Sequence, residues 1–420
     1  MKLGGVFAAV LFVAASSEAA KPAAKPAPKP PAVDDCLACH EDAGAQRANG
    51  STVAVDKAAF AASVHGVAGL ACVDCHQDLA KTTDFPHPEA LARVDCSPCH
   101  GPQVADYEKS VHAAERGKSK SSKAATCTDC HGVHDIRPSK DPVSRTNHFN
   151  LPTTCLRCHG NLAVVPGAGG PPENQPARFH DSIHGKALEK SGLKFAPNCA
   201  TCHGPHAIRN PKSDPESAVY RTRVPATCGT CHEKILAEYA DSIHGTQLAK
   251  GNAKVPVCSD CHTAHAITDA SDARRLAILR QCGGCHESSL ATYRDTYHGQ
   301  VSALGFSRIA TCADCHTAHG IHPAGDPRSS VASANRLKTC QKCHTGATAN
   351  FSRYDPHANT HDKGRNRLLW ATALFMKILL VGVFAFFGIH TVLWFPRSVK
   401  ARVDANRKGR GGSDENGAAR

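Results

Sequence analysis

The run Cys-x-x-Cys-His occurs eleven times in this 420-residue chain and uses every one of its 22 cysteines. The runs begin at Cys36, Cys72, Cys96, Cys127, Cys155, Cys199, Cys228, Cys258, Cys282, Cys312 and Cys340. Their second cysteines are Cys39, Cys75, Cys99, Cys130, Cys158, Cys202, Cys231, Cys261, Cys285, Cys315 and Cys343. A zinc ribbon or a redox dithiol also uses Cys-x-x-Cys, but neither requires histidine directly after the second cysteine. A disulfide framework needs no fixed two-residue gap. Two thiols forming thioethers with porphyrin vinyls, beside a histidine on the iron, do need this pattern. Eleven covalently bound haem c groups are therefore expected, with proximal ligands His40, His76, His100, His131, His159, His203, His232, His262, His286, His316 and His344.

Only 5% of the residues are aromatic, and Pro and Gly number 26 and 33. So few large apolar side chains cannot offset the conformational entropy of so long a chain, and the porphyrins must supply much of the core. Residues 36–344 leave about 28 residues for each site, which makes the polypeptide a wrapper. The formal charge of +12 would suit an anionic partner. Each ferric bis-histidine haem with ionised propionates carries roughly −1, however, bringing the loaded protein to about +1 and its reduced form to about −10. Nucleic-acid binding is not supported. The only methionines, Met1 and Met376, lie in apolar segments outside the haem region. Axial methionine is thus excluded there, and low potentials follow from bis-histidine or open coordination.

Residues 1–19 read as a secretory signal, with Lys2 before a short apolar stretch and the small-residue site Ser17-Glu18-Ala19 after it. Residues 20–33 are a Pro/Lys-rich linker. The haem region, 34–362, holds two-haem repeats at 36–95, 96–154, 155–227, 228–281 and 282–339, and a final haem at 340–361. Intervals of 60, 59, 73, 54 and 58 residues argue for a stacked array. After the first motif of a repeat comes a short amphipathic helix ending in histidine, as in Leu236, Tyr239 and Ile243 before His244. An aromatic residue stands five positions before that histidine: Phe60, Tyr107, Phe179, Tyr239 and Tyr293. Glycine follows the histidine at Gly66, Gly185, Gly245 and Gly299, suiting a helix C-terminus or a close approach to porphyrin; Ala113 is the exception.

Beyond the proximal set, two series of histidines recur. One is His65, His112, His184, His244 and His298; the other, three residues after the second motif's histidine, is His134, His206, His265 and His319. The first repeat lacks the latter, and His87 is its nearest substitute. With His357 or His361 these make eleven distal candidates, one for every iron. A +3 histidine cannot serve its own haem, because the proximal residue holds the opposite face, so its target is a neighbouring haem and the bond cross-links repeats. His148, His180 and His322 are left as non-ligands, although His180 lies one helical turn from His184.

Residues 368–395 form the only long apolar run after the signal and suffice to span a bilayer, with Trp370 and Trp394 as interfacial anchors. The flank after it is the more basic, which puts the tail, 396–420, in the cytoplasm and the haem region in the periplasm; residues 398–420 read as disordered. Lys377 snorkels or stands beside quinol. His390 either hydrogen-bonds a partner helix or ligates a b-type haem in a partner subunit.

The Ser-Ile-His-Gly and C-x-x-C-H-x-x-H elements between Cys96 and His319 resemble the doubled repeats of periplasmic multihaem c-type cytochromes, such as the pentahaem donor to nitrite reductase and the decahaem conduit cytochromes. The stretch from Tyr354 to Ser398 is similar to the C-terminal anchor of inner-membrane multihaem cytochromes that work with a quinol-oxidising cytochrome b. The resemblance implies a mostly irregular fold with short α-helices, an elongated multihaem array plus one C-terminal transmembrane helix. It also implies a non-enzymatic electron carrier between a quinol-linked cytochrome b subunit of the inner membrane and periplasmic or outer-membrane cytochromes or reductases. The rivals are a reductase of nitrite, hydroxylamine or a sulfur oxyanion with one open haem, and a charge reservoir or filament subunit.

Overall fold

The structure, a computed structural model, describes residues 29–119, 123–160, 175–269 and 271–411. The expected signal and most of the linker lie outside them. No β-strand occurs among the described residues, where one isolated bridge joins Gln46 to Thr52. The helices are short, with a single long apolar exception at the C-terminal end. This is the architecture of short helices plus one anchor-like helix that the repeats implied.

The second motif of a repeat forms its own helical turn: Cys72–Cys75, Cys127–His131, Cys258–His262 and Cys312–His316. In each, an aspartate inside the motif (Asp74, Asp129, Asp260, Asp314) accepts the N–H of the residue preceding the first cysteine at 2.7 Å. That bond satisfies a donor the helix cannot, and places a carboxylate at the positive end of the turn. Positions i, i+3 and i+4 share a helical face, so both thiols and the imidazole emerge together. The next residue is left-handed: Gly132 and Gly204 at φ 94° and 82°, but Thr263 and Thr317 at 63° and 70°. A β-branched side chain is strained in that region.

The amphipathic helix after the first motif does not end in its histidine, as the sequence suggested. It stops, and a buried serine or threonine (Ser63, Ser110, Ser182, Ser242, Thr296) caps a new helix in which the histidine is the second residue. In the fourth repeat these helices are Glu233–Asp241 and Ile243–Ala249, and Ser242 Oγ accepts the Gly245 N–H at 3.1 Å while donating to the Tyr239 carbonyl at 2.6 Å. Gly245 therefore sits at a helix start, not a C-terminus. Its reason is a close approach, since a Cβ there would stand 2.1 Å from the Tyr239 carbonyl oxygen. The conserved-looking aromatic has a second task where it is tyrosine. The hydroxyls of Tyr107, Tyr239 and Tyr293 donate to the carbonyls of Ala125, Pro256 and Ala310, two residues before the following motif.

The chain forms two compact units, residues 1–154 with 206–208, and residues 155–205 with 209–420. In the first, the Val64 N–H donates to Ile136 O at 2.9 Å and Val111 N–H to Ile208 O at 2.8 Å. In the second, Ile183 N–H reaches Ile267 O at 2.7 Å and Ile243 N–H reaches Ile321 O at 2.8 Å. Each donor is the first residue of a capped helix, where no intrahelical acceptor exists, and each acceptor lies two residues beyond a +3 histidine. Buried apolar side chains among the described residues are few, chiefly Leu37 and Val73 in the first unit and Leu188, Val257, Leu279 and Tyr293 in the second. Neither unit has an ordinary hydrophobic core.

The last helix, Arg367–Gly411, runs 45 residues, roughly 68 Å at 1.5 Å per residue, against about 30 Å of bilayer hydrocarbon. It is long and apolar enough to cross a membrane, and none of its apolar window is buried. The helix does not stop at the end of the apolar run but continues through Pro396 to Gly411, so the segment read as a disordered tail is helical that far. Pro396 removes one backbone donor, and the alanines, arginines and lysines after it favour helix enough to carry it on.

Candidate haem-ligand pairs

Ten of the eleven motif histidines lie beside a histidine from outside the motifs, four of the pairs stacked, five tilted and His65–His100 edge-on. In the first unit the ring centres are 5.9 Å apart for His40 and His87, 6.0 Å for His65 and His100, 6.5 Å for His76 and His134, and 6.1 Å for His131 and His206. In the second unit they are 6.2 Å for His184 and His232, 6.0 Å for His203 and His265, and 6.3 Å for His244 and His286. His262 and His319, and His298 and His344, are 6.0 Å apart, and His316 and His357 6.2 Å. His112 and His159, the remaining members of the expected set, are each engaged with another group.

That separation has a simple meaning. Two imidazoles on opposite sides of one metal, with bonds of about 2 Å and ring nitrogens roughly 1.1 Å from the ring centre, have centres roughly 6.3 Å apart. Among the described residues no group of three or more His, Cys, Asp or Glu side chains could hold a bare metal ion. A tetrahedral zinc site needs such a group. Two imidazoles alone leave four positions, the number a porphyrin fills, so the residues fit haem.

The register follows one rule. A +3 histidine meets the second-motif histidine of the preceding repeat, and His65, His184, His244 and His298 of the other series meet the first-motif histidine of the following one. His87 instead meets His40 within its own repeat. Between the two candidates near the membrane helix, His357 meets His316, while the His361 N–H donates to Asn359.

Several imidazoles are aimed by a second bond. Nδ1 of His40 donates to the Val53 carbonyl at 2.8 Å, which leaves Nε2 as the ligating nitrogen. His357 Nδ1 is 3.0 Å from the Thr292 hydroxyl, and its backbone N–H donates to Asp355, whose carboxylate accepts from Nε and Nη2 of Arg365 at 2.8 to 3.0 Å. Burial, and then the partner imidazole, pushes the protonation of His131, His184, His244 and His298 below the ordinary histidine value. His203 is pushed down to about 4, by burial first and His265 next. Each is held in the neutral form that can ligate a metal.

The cysteines converge as well. Within each repeat the first cysteines of the two motifs interact as neighbours: Cys36 with Cys72, Cys96 with Cys127, Cys155 with Cys199, Cys228 with Cys258, and Cys282 with Cys312. In the thiol form, the hydrogen bond from the partner pushes Cys228 and Cys282 down to about 7. The second cysteines Cys75, Cys202, Cys261 and Cys315 feel the charge of the following repeat's first motif. Porphyrin edges attached to these sulfurs would be brought close, both inside a repeat and at its junction.

The other histidines have other partners. His180 Nδ1 lies 2.6 Å from the Glu189 carboxylate, and His322 lies 3.4 Å from Asp241 and 3.9 Å from Asp326. His148 packs edge-on against Phe149. It stands seven residues before the next first motif, where the later repeats have Arg221 and Arg275. Those arginines pair with the motif aspartates Asp260 and Asp314 at 2.9 and 2.8 Å. The sequence reading passed over them, although the equal spacing of 39 residues from arginine to aspartate was visible in both.

Comparison with known proteins agrees with this geometry. Residues 120–274 match the family described as outer membrane cytochrome MtrC/MtrF-like, domains II/IV, and residues 64–160 match the cytochrome c3 family. The chain is similar to the high-molecular-weight cytochrome c of Nitratidesulfovibrio vulgaris (strain Hildenborough), with 24% identity over 67% of this chain and 53% of that protein. It is also similar to the multiheme cytochrome MtrA of Shewanella baltica (strain OS185), with 27% identity over 46% of this chain and 51% of that one. The chain thus spans about half the length of the curated relatives it matches. These likenesses support a multihaem c-type cytochrome that transfers electrons.

Proposed function

We propose that this chain is a membrane-anchored undecahaem electron carrier, linking a quinol-oxidising cytochrome b subunit of the inner membrane to periplasmic or outer-membrane cytochromes or reductases. The reading is carried by the ten histidine pairs, whose separations of 5.9 to 6.5 Å suit one iron each with both axial positions filled. Haem iron, when bound, takes up and releases one electron at a time. The twenty-two cysteines would hold it, the motif histidines and their partners would supply its nitrogen donors, and electron transfer needs no bond-making residue.

Electrons enter beside the membrane, at the site of Cys340, Cys343, His344 and His298, which precedes the Arg367–Gly411 helix. They leave toward acceptors on the periplasmic side. The basic flank after Pro396 favours a cytoplasmic C-terminal end. His390, an ionisable group within the span, favours a second polypeptide beside it.

The reductase alternative needs an iron with an open position. Cys72 and Cys340 head the motifs where the sequence leaves most room for one, and the closeness of His76 to His134 and of His344 to His298 favours the carrier. Purification of the protein from membranes with its partners tests the proposal. A b-type cytochrome should accompany it, and a quinol analogue should reduce its haems. An intact complex that quinol does not reduce refutes the entry route. A high-spin ferric signal of about one haem per chain points to the reductase.

A further inference from the structure

The fourth repeat departs from its counterparts between its +3 histidine and the next motif. The second, third and fifth repeats carry an Asp-Pro turn there, at Asp141, Asp214 and Asp326. Arg137 lies 3.7 Å from the first of these carboxylates and Arg209 2.8 Å from the second, so each cation is neutralised. The fourth repeat has no such turn; it has the helix Asp272–Cys285. Near its start, Arg274 occupies the position of Asn147, Tyr220 and Ala332 in the other repeats, eight residues before the motif.

Arg274 Nη2 donates to the carbonyl of Cys261, next to the proximal histidine His262. In the fifth repeat the corresponding carbonyl, of Cys315, receives the neutral hydroxyl of Ser330. A cation has replaced an uncharged donor at the same place. The Nε atoms of Arg274 and Arg275 are both buried without a hydrogen-bond partner, but no carboxylate pairs with Arg274 among the described residues. The adjacent Arg275, by contrast, is paired with Asp314 at 2.8 Å. Arg274 also borders a cavity of about 330 Å³, where Lys186 and Asp269 leave the charge balance positive.

We propose that Arg274 raises the reduction potential of the site formed by Cys258, Cys261, His262 and His319 above those of the other sites in the second unit, so that electrons come to rest there. This rests on the haem reading above. The exchange is of one electron, given up by a neighbouring ferrous site and accepted by the ferric one, with no proton or bond involved. Acceptance removes one positive charge beside a guanidinium that cannot deprotonate and has no carboxylate partner among the described residues, which favours the reduced state.

The test is a potentiometric titration of the full-length holoprotein in detergent, followed at the haem α-band, in wild type, Arg274→Gln and Arg274→Lys. Glutamine keeps a donor for the Cys261 carbonyl but removes the charge; lysine keeps the charge. In Arg274→Gln, a component of roughly a tenth of the band should move down by at least tenfold in equilibrium constant, about 59 mV for a one-electron couple, while the rest titrates as in wild type. Arg274→Lys should titrate close to wild type. A glutamine variant that titrates like wild type, or a lysine variant that shifts as far as glutamine, overturns the assignment. Haem content per chain and the low-spin resonance, measured on the same wild-type sample, check the underlying reading separately. A deficit there defeats both, whereas a full complement with an unmoved titration defeats only the role of Arg274.

Discussion

Gly245 shows how little room the repeat leaves at its histidine. A methyl group there would meet the Tyr239 carbonyl oxygen at 2.1 Å, and that oxygen already receives the buried Ser242 hydroxyl. Backbone must move to admit it, so Gly245→Ala should cost about 2 kcal/mol or more and disturb the adjacent His244–His286 pair. Thermal unfolding of the holoprotein, read together with its low-spin resonance, checks both effects. The buried pairs also set a response to acid. His203 has its protonation pushed down to about 4, below the value near 6.5 of an unfolded chain. Its contribution to stability is therefore complete above about pH 6.5 and is lost as pH falls from there through about 4. Iron at its other nitrogen would hold the neutral form still longer. The low-spin visible spectrum should accordingly persist at pH 5, and early loss of it there would show that these pairs are not ligands.

At the scale of the element, a histidine and the helical turn it completes belong to different repeats. His319, from the fifth, faces His262 of the fourth, and the Ile243 N–H bonds to Ile321 in the same crossing. His319→Ala should therefore give a high-spin ferric signal of about one haem per chain and lower the melting temperature, because the substitution opens a coordination position and a junction together. Resonance and calorimetry read the two consequences. The motif turns were legible in the sequence, since C-x-x-C-H fixes which atoms must share a face, and the long apolar helix was legible from its composition. Two other features were not. The serine cap that splits the amphipathic helix was hidden because Tyr239, Ile243 and His244 keep helical spacing across the break. The pairing of histidines was hidden because His134 lies closer along the chain to the motif histidines His100 and His159 than to its neighbour His76, and only the folded crossing selects one. Arg274 went unnoticed for a related reason: an arginine at a helix start is ordinary until its counterparts prove to be neutral.

At the scale of the whole molecule, the histidine pairs and the long apolar helix make separable demands. A chain ending at residue 366 retains every cysteine and every paired histidine, together with the Arg365–Asp355 clamp that positions His357. It should collect in the soluble fraction with an unchanged α-band per chain and should lose reduction by quinol; fractionation and a quinol assay test this. The crossed pairing of the repeats has a further consequence, in time. His65 comes before His100 in the chain, but His134 follows His76 by 58 residues and His206 follows His131 by 75. If the polypeptide emerges from its N-terminal end, the histidines facing the first motifs at His100, His232, His286 and His344 would already be present when those motifs appear, whereas His87 follows His40. A second motif would instead wait for its partner until a further stretch of chain had emerged, so haem loading should proceed in two alternating beats along the repeats.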